Sequence, residues 1–242
     1  MNGLGYHNQG SAQEGLGVHW YYARLVILLG PPGAGKGTQA QRIAGHYGLQ
    51  HLSTGDMLRD NIQRNTELAR KAKPFINRGE LVPDAIVLGM VQNRIAQSVC
   101  ENGFVLDGFP RSLPQAHGLE EICRLYKSRS TTVVNMVVQP ELLMRRMTNR
   151  RICKMCGHIY SLVDHPPIRP GFCDADGSEL IQRPDDKEDV IRERIHMYEL
   201  HTRPLIEYYS AQGLLTAVQG VGDPDAVMAN IMKVLNKEDA KK

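Results

Sequence analysis

Leu25-Val-Ile-Leu-Leu29 runs without a break into Gly30-Pro-Pro-Gly-Ala-Gly-Lys-Gly-Thr38, and this junction decides the fold. Five apolar residues closed by a glycine read as a short strand buried on both faces, and residues 36–47 read as a helix. Between them the glycines let successive backbone N–H groups turn toward one point, where the helix N-terminus adds positive potential. Gly33, Ala34, Gly35, Lys36, Gly37 and Thr38 are therefore expected to cradle the phosphates of a nucleotide, with Lys36 as a mobile charge for the outer two. A glycine-rich turn carrying a surface lysine is the competing reading, and the strand before it and helix after it count against that. The general pattern puts Ser or Thr directly after the lysine, whereas here Gly37 intervenes before Thr38.

Four more stretches read as buried strands: Leu49–Leu52, Phe104–Leu106, Thr132–Val138 and Leu214–Val218. Helical patterns occupy 84–98, 112–126, 140–150, 187–211 and 224–236. Strands apolar on both faces and alternating with helices predict an α/β fold in three layers, a five-stranded parallel sheet covered on each side. The core should comprise 24–52, 83–148 and 187–242. Two segments interrupt it: a polar helical insert at 53–82, and a loop-rich one at 149–186 containing Pro166, Pro167, Pro170 and Gly171. Lobes inserted this way overhang the carboxyl edge of the sheet, where ligands of such folds bind.

Composition sets the outer limits. Hydrophobic residues at 42% and charged residues at 23% are ordinary for a globular chain and exclude disorder. A net charge of +3 is too small to mark a nucleic-acid or membrane surface, and no apolar run is long enough to span a bilayer. Residues 1–23 are glycine-rich and lack Lys, Arg and any apolar core, so they fit neither a secretory nor a mitochondrial leader and read as a flexible extension. Five cysteines, an odd number without a signal sequence, point to reduced thiols and a cytoplasmic setting. Of these, Cys100 and Cys123 read as small core hydrophobes on helices.

Asp107 follows the apolar run Phe104–Leu106 and should end a strand beside the phosphate loop, where a carboxylate can hold Mg²⁺ directly or through water. Three further segments are specific: His51-Leu-Ser-Thr-Gly-Asp-Met-Leu-Arg59, Leu106-Asp-Gly-Phe-Pro-Arg-Ser-Leu-Pro-Gln115 and Arg183-Pro-Asp-Asp186. Together with Gly30–Thr38, extra glycine included, they resemble the signature stretches of adenylate kinases, in order and with that family's spacing from about residue 24 to 238.

That resemblance implies an enzyme passing the terminal phosphoryl group of Mg-ATP to AMP to give two ADP, with ATP, AMP and ADP as its partners and a monomeric state. It implies an AMP-binding lobe at 53–82 and a lid at 149–186. Thr54, Arg59, Glu80, Leu81, Val82, Gly108, Phe109, Pro110, Arg111, Gln115, Arg183 and Arg194 would form the AMP site. The phosphate loop, Arg146, Ile159 and Tyr160 would hold ATP. Lys36, Asp107, Arg111, Arg146, Arg150, Arg183 and Arg194 would serve the transfer, and Asp185 and Asp186 would hold lid-closing arginines. The residue types suit these tasks. Gln115 offers a donor and an acceptor together, as an adenine reader needs. Arg146 and Arg150, four apart in a helical pattern, are expected to project from one face.

Cys153-Lys-Met-Cys156 and Cys173-Asp-Ala-Asp176 have ligand spacing, with Gly157 after the first pair. Three thiolates and a carboxylate make a closed tetrahedral set, hence a structural Zn²⁺ site, and some bacterial members of the resembled family carry that set in the lid. Asp174 is an alternative carboxylate, while His158 and His165 are left out. The rival functions are a kinase for UMP, CMP or GMP, a nucleotide-binding regulator, and a zinc ribbon on nucleic acid. The regulator would not need the phosphoryl-clamping arginines. The ribbon would need a basic stripe with stacking aromatics, and Tyr160 is the only aromatic between the first ligand pair and the second apart from Phe172, next to Cys173.

Overall fold

The computed structural model describes residues 24–97, 102–125 and 130–239. The chain opens with β1 (Arg24–Leu29), α1 (Lys36–Tyr47) and β2 (Gln50–Ser53), followed by α2 (Thr54–Gln63) and α3 (Glu67–Arg78) of the polar insert. Then come α4 (Asp84–Ala96), β3 (Gly103–Asp107), α5 (Leu113–Leu125), β4 (Ser130–Val137) and α6 (Pro140–Thr148). The second insert holds β5 (Arg150–Cys153), β6 (Ile159–Ser161) and β7 (Leu180–Ile181), and the chain ends with α7 (Glu188–Met197), α8 (Pro204–Ala211), β8 (Leu215–Gln219) and α9 (Pro224–Asp239).

The main sheet has the order β2-β3-β1-β4-β8 with every neighbouring pair parallel, so the five-stranded parallel sheet expected from the sequence is present. Alternation along β1 explains why it must be covered twice. Leu25, Ile27 and Leu29 join one buried cluster with Val91 of α4, Leu119 of α5 and Leu205 of α8. Val26 and Leu28 join the other, with Ile43 of α1, Leu143 of α6 and Ile231 of α9. Because β1 is central and its chain leaves toward β2 while β4 lies on the opposite side, the loop after β1 sits where such sheets bind ligands. The second insert is a small antiparallel sheet, β6-β5-β7.

Two sequence expectations need correction. Residues 187–211 are not one helix: a π-turn, Tyr198–Thr202, separates α7 from α8. Pro204 has no N–H to donate back to Leu200, and the chain takes up the slack with a wider bond from Arg203 N–H to Tyr198 O at 2.9 Å. Arg146 and Arg150 do not share a helix face either. Helix α6 stops at Thr148, and Arg150 opens β5. Cys123 is half-buried against the core as expected; Cys100 and residues 1–23 lie outside the described residues.

Candidate functional site

Helix α1 begins at Lys36 behind Gly35 at φ 92°, and no side chain caps it. Its first-turn N–H groups are thus left for a ligand, as an anion site requires. The glycines answer to neighbours. A Cβ on Gly30, at φ 140°, would lie 2.7 Å from the Met136 carbonyl oxygen. A Cβ on Gly37 would lie 3.2 Å from Asp107 Oδ2, so the extra glycine makes room for the carboxylate at the end of β3.

Lys36 Nζ donates to the carbonyls of Gly30 (2.7 Å) and Pro31 (2.8 Å). Burial pulls its pKa from 10.5 down to about 7, the charges of Arg111, Arg194 and Arg150 push the same way, and Asp107 opposes. Between these two values the unfolded chain keeps a proton that the folded one releases, so this group alone makes stability rise with pH across that window. A polyphosphate would restore the charge. Triphosphate binding at about pH 8 should therefore take up most of a proton, and affinity should fall up to about tenfold per pH unit above 7. Calorimetry in buffers of different ionisation enthalpy reads this uptake, and Lys36→Met should abolish it.

Asp107 is half-buried, with His51 Nε2 3.7 Å away. Burial alone would raise its pKa, but His51, Lys36 and Arg111 outweigh burial and hold the carboxyl below the usual range. A carboxyl held in its anionic form in this way fits a Mg²⁺ ligand.

Two cavities adjoin at the carboxyl edge. The first contains Thr54, Arg59, Glu80, Leu81, Val82, Gly108, Arg111, Gln115 and Arg194 of the predicted acceptor residues. The second contains Gly30, Lys36 and Pro110, and the two share Gly79, Leu81, Gly108, Arg111 and Arg194 as a common wall. Gly108, at φ 70°, anchors that wall: its carbonyl accepts from Thr54 Oγ1 (2.7 Å) and Arg111 Nε (2.8 Å). The cations crowd one another. Burial first, then Arg59 and Arg150, lower Arg183 to about 10; burial first, then Arg150 and Arg111, lower Arg194 to about 10. Arg183 Nε is buried without a partner among the described residues. Lys36, Arg59, Arg111, Arg150, Arg183 and Arg194 have Asp56, Asp107, Asp185 and Asp186 among their acidic neighbours, so cations outnumber these carboxylates. Such a surplus suits a polyanion.

Not every predicted residue joins this wall. Arg146 stands to one side, its Nη1 donating to Gly220 O at 2.9 Å. Phe109 is core, 1% exposed. The Tyr160 side chain is buried inside the second insert, its hydroxyl 3.4 Å from Cys173 Sγ and accepting from Asp174 N–H, while Ile159 on the same strand is exposed. Residues that sequence reasoning passed over also belong here. Tyr198 and Thr202 of the π-turn line the second cavity, and Thr202 Oγ1 donates to Arg111 O at 2.8 Å. Pro204 was the available signal for that turn. Asp84 bonds Gln115 and had no local signal.

In the second insert, the donor atoms of Cys153, Cys156, Cys173 and Asp176 all lie within 4.8 Å of one another. Tetrahedral Zn²⁺, with bonds of about 2.3 Å to sulfur and about 2.0 Å to oxygen, sets neighbouring donors about 3.5–3.8 Å apart. The Cys156 and Cys173 sulfurs are 3.6 Å apart, and Cys153 Sγ is 3.3 Å from Asp176 Oδ2, so the set is compatible with zinc. The two halves are built alike. Gly157 N–H bonds Cys153 O and Gly177 N–H bonds Cys173 O, each glycine at positive φ. Gly177 repeats the Gly157 signal, and the sequence reading had missed it. Asp174 is engaged elsewhere, accepting from Ile168 N–H at 2.9 Å, and neither His158 nor His165 joins the cluster.

Comparison with known proteins agrees with this geometry. The family profile described as "Adenylate kinase" matches residues 28–214. A protein of Archaeoglobus fulgidus named adenylate kinase is 48% identical over 212 residues, which is 88% of this chain and 98% of its own length. Adenylate kinases of Shouchella clausii and Bacillus subtilis are 47% and 46% identical, over 89% and 87% of this chain and 99% and 97% of theirs. With its phosphate loop, its paired cavities and similarity running along most of its length, the chain belongs to the adenylate kinase family.

Proposed function

We propose that this protein reversibly transfers the terminal phosphoryl group of Mg-ATP to AMP, giving two ADP. The observation that carries the reading is the group of cations around two adjoining cavities: Arg111 and Arg194 on their shared wall, Arg59 in the first, Lys36 in the second, and Arg150 and Arg183 close enough to shift Arg194 or one another. The phosphate of AMP loses its second proton near pH 6, so the attacking oxygen is already anionic at pH 7 and no general base is needed. The difficulty is electrostatic, since two polyanions must meet and charge must spread over the transferring oxygens. Arg59 and Arg111 hold the acceptor phosphate, while Lys36, Arg150, Arg183 and Arg194 gather around the transferring group and Arg146 flanks the phosphate loop. Mg²⁺, when bound, neutralises the outer phosphates, and Asp107 is the residue that would hold it. Closure of the two inserted lobes excludes water, the competing acceptor.

The reading includes a monomer in the cytoplasm. Among the described residues the cysteines are unpaired thiols and no helix is long and apolar enough to cross a membrane. A coupled assay of ADP formation with AMP, UMP, CMP and GMP as acceptors tests it. Turnover strongest with AMP supports the reading; a preference for another monophosphate overturns the acceptor, and no turnover with any overturns the enzyme.

Cys153, Cys156, Cys173 and Asp176 are assigned to a structural Zn²⁺ that keeps the lid folded and takes no part in the chemistry. Stripping it with a chelator should lower the unfolding temperature while transfer well below that temperature stays within about tenfold of the metal-replete rate. Abolished turnover with unchanged thermal stability would sink the assignment.

A further inference from the structure

Gln115 lines the first cavity yet is only 1% exposed, and both ends of its amide are already engaged. Oε1 accepts from the Arg111 backbone N–H at 2.8 Å, and Nε2 donates to Asp84 Oδ1 at 2.7 Å. The same Oδ1 accepts from Ser112 Oγ at 2.9 Å, and Ser112 Oγ accepts from Gln115 N–H at 3.3 Å, closing a ring. Turned by 180°, an amide exchanges its oxygen and nitrogen with little change of shape. Here the two partners differ in kind: a backbone N–H can only donate, and an ionised carboxylate can only accept. One orientation satisfies both. The flipped one sets NH₂ against N–H and carbonyl against carboxylate.

The locked amide keeps one N–H and one lone pair in a fixed order. A 6-aminopurine presents an acceptor at N1 beside a donor at the exocyclic nitrogen. A 6-oxopurine presents the reverse, N1–H beside a carbonyl oxygen. An amide free to flip serves either edge, whereas a locked one is mismatched to the second, and unpaired polar groups in a buried site are costly.

We propose that Asp84 is a positioning residue that fixes the Gln115 amide and thereby sets discrimination between 6-amino and 6-oxo purine monophosphates. The proposal rests on the first cavity being the AMP site. A purely structural role is the rival: Ser112 and Gln115 have the spacing of a helix-start cap for α5, and Asp84 sits in the acidic first turn of α4.

The test compares kcat/KM for AMP and IMP in wild type, Asp84→Asn and Ser112→Ala, with thermal unfolding measured on each. Asn at 84 can present either its oxygen or its NH₂, so the lock is released. We expect Asp84→Asn to cut the AMP-to-IMP ratio at least tenfold, mainly through KM, and Ser112→Ala to lower stability with the ratio kept within threefold. An Asp84→Asn ratio within twofold of wild type overturns the proposal, as does an equal effect of the two variants. Wild-type protein offers a readout independent of folding in the variants. One Gln115 Nε2 proton should be protected from solvent exchange by NMR, and two rapidly exchanging protons overturn the lock. If wild type itself shows no preference for AMP over IMP, the AMP-site reading fails first, a result distinct from loss of the lock.

Discussion

Alanine in place of Arg194 should lower kcat by about three orders of magnitude, with a much smaller rise in KM for either nucleotide. Arg194 lines both cavities, so under the proposed function its guanidinium stands where the two substrates would meet. Burial and the neighbouring Arg150 and Arg111 lower its pKa to about 10, which leaves it charged at pH 7 among other cations. A phosphoryl group whose negative charge spreads in the transition state relieves that crowding most when transfer is under way. The loss therefore belongs in kcat more than in ground-state binding. Arg194→Lys should recover only part of the rate, because an ammonium lacks the planar fork. Arg194 also bonds Asp185 and Asp186, so unfolding curves must accompany the kinetics; Asp186 keeps Arg150 as a partner in the variant. A loss below tenfold in folded protein would assign Arg194 to holding those carboxylates alone.

The features legible in the sequence are those decided within one turn or one strand. The junction after β1 needs only apolar residues, glycines and a following helix, and all of that information lies between Leu25 and Thr38. The cysteine spacing is equally local. The sheet followed because runs apolar on both faces leave few other architectures. Where the reading failed, the deciding contact was distant. The Gln115 amide is set by Asp84, 31 residues away, and the close approach of Gly37 to Asp107, seventy positions on, likewise had no local signal. Arg150 was assigned to a helix because the four-residue spacing from Arg146 fits one. Its position in β5 instead reflects the end of α6 at Thr148 and a buried partner, Asp186, across the foot of the lid. Alternation likewise could not say that Tyr160 turns its ring toward the cysteines, since a three-residue strand gives too short a pattern to choose a face.

That buried partner carries the largest expected effect on stability. Replacing Asp186 by alanine should cost about 3–5 kcal/mol, because it strips one carboxylate from two buried cations at once. Asp186 is fully buried and accepts from Arg150 Nε at 2.8 Å and from Arg150 Nη2, and Arg194 Nη1 lies 3.2 Å from it. The side chains of Arg150 and Arg194 are only 17% and 18% exposed, so water replaces only part of what they lose. The contact also ties the two feet of the lid together, since Arg150 opens β5 and Asp186 ends the turn that follows β7. Arg42 and Asp225 provide the control. Their pair is 38% and 86% exposed, and Asp225→Ala should cost no more than about 1 kcal/mol. Denaturant midpoints of both variants, measured with and without inorganic triphosphate, separate the explanations. Triphosphate should recover part of the Asp186→Ala loss, because phosphate oxygens offer the freed guanidinium groups new acceptors, and it should stabilise Asp225→Ala no more than it does wild type. Equal midpoints for the two variants would mean that Asp186 is replaceable, and that the lid's feet are held by packing and not by charge.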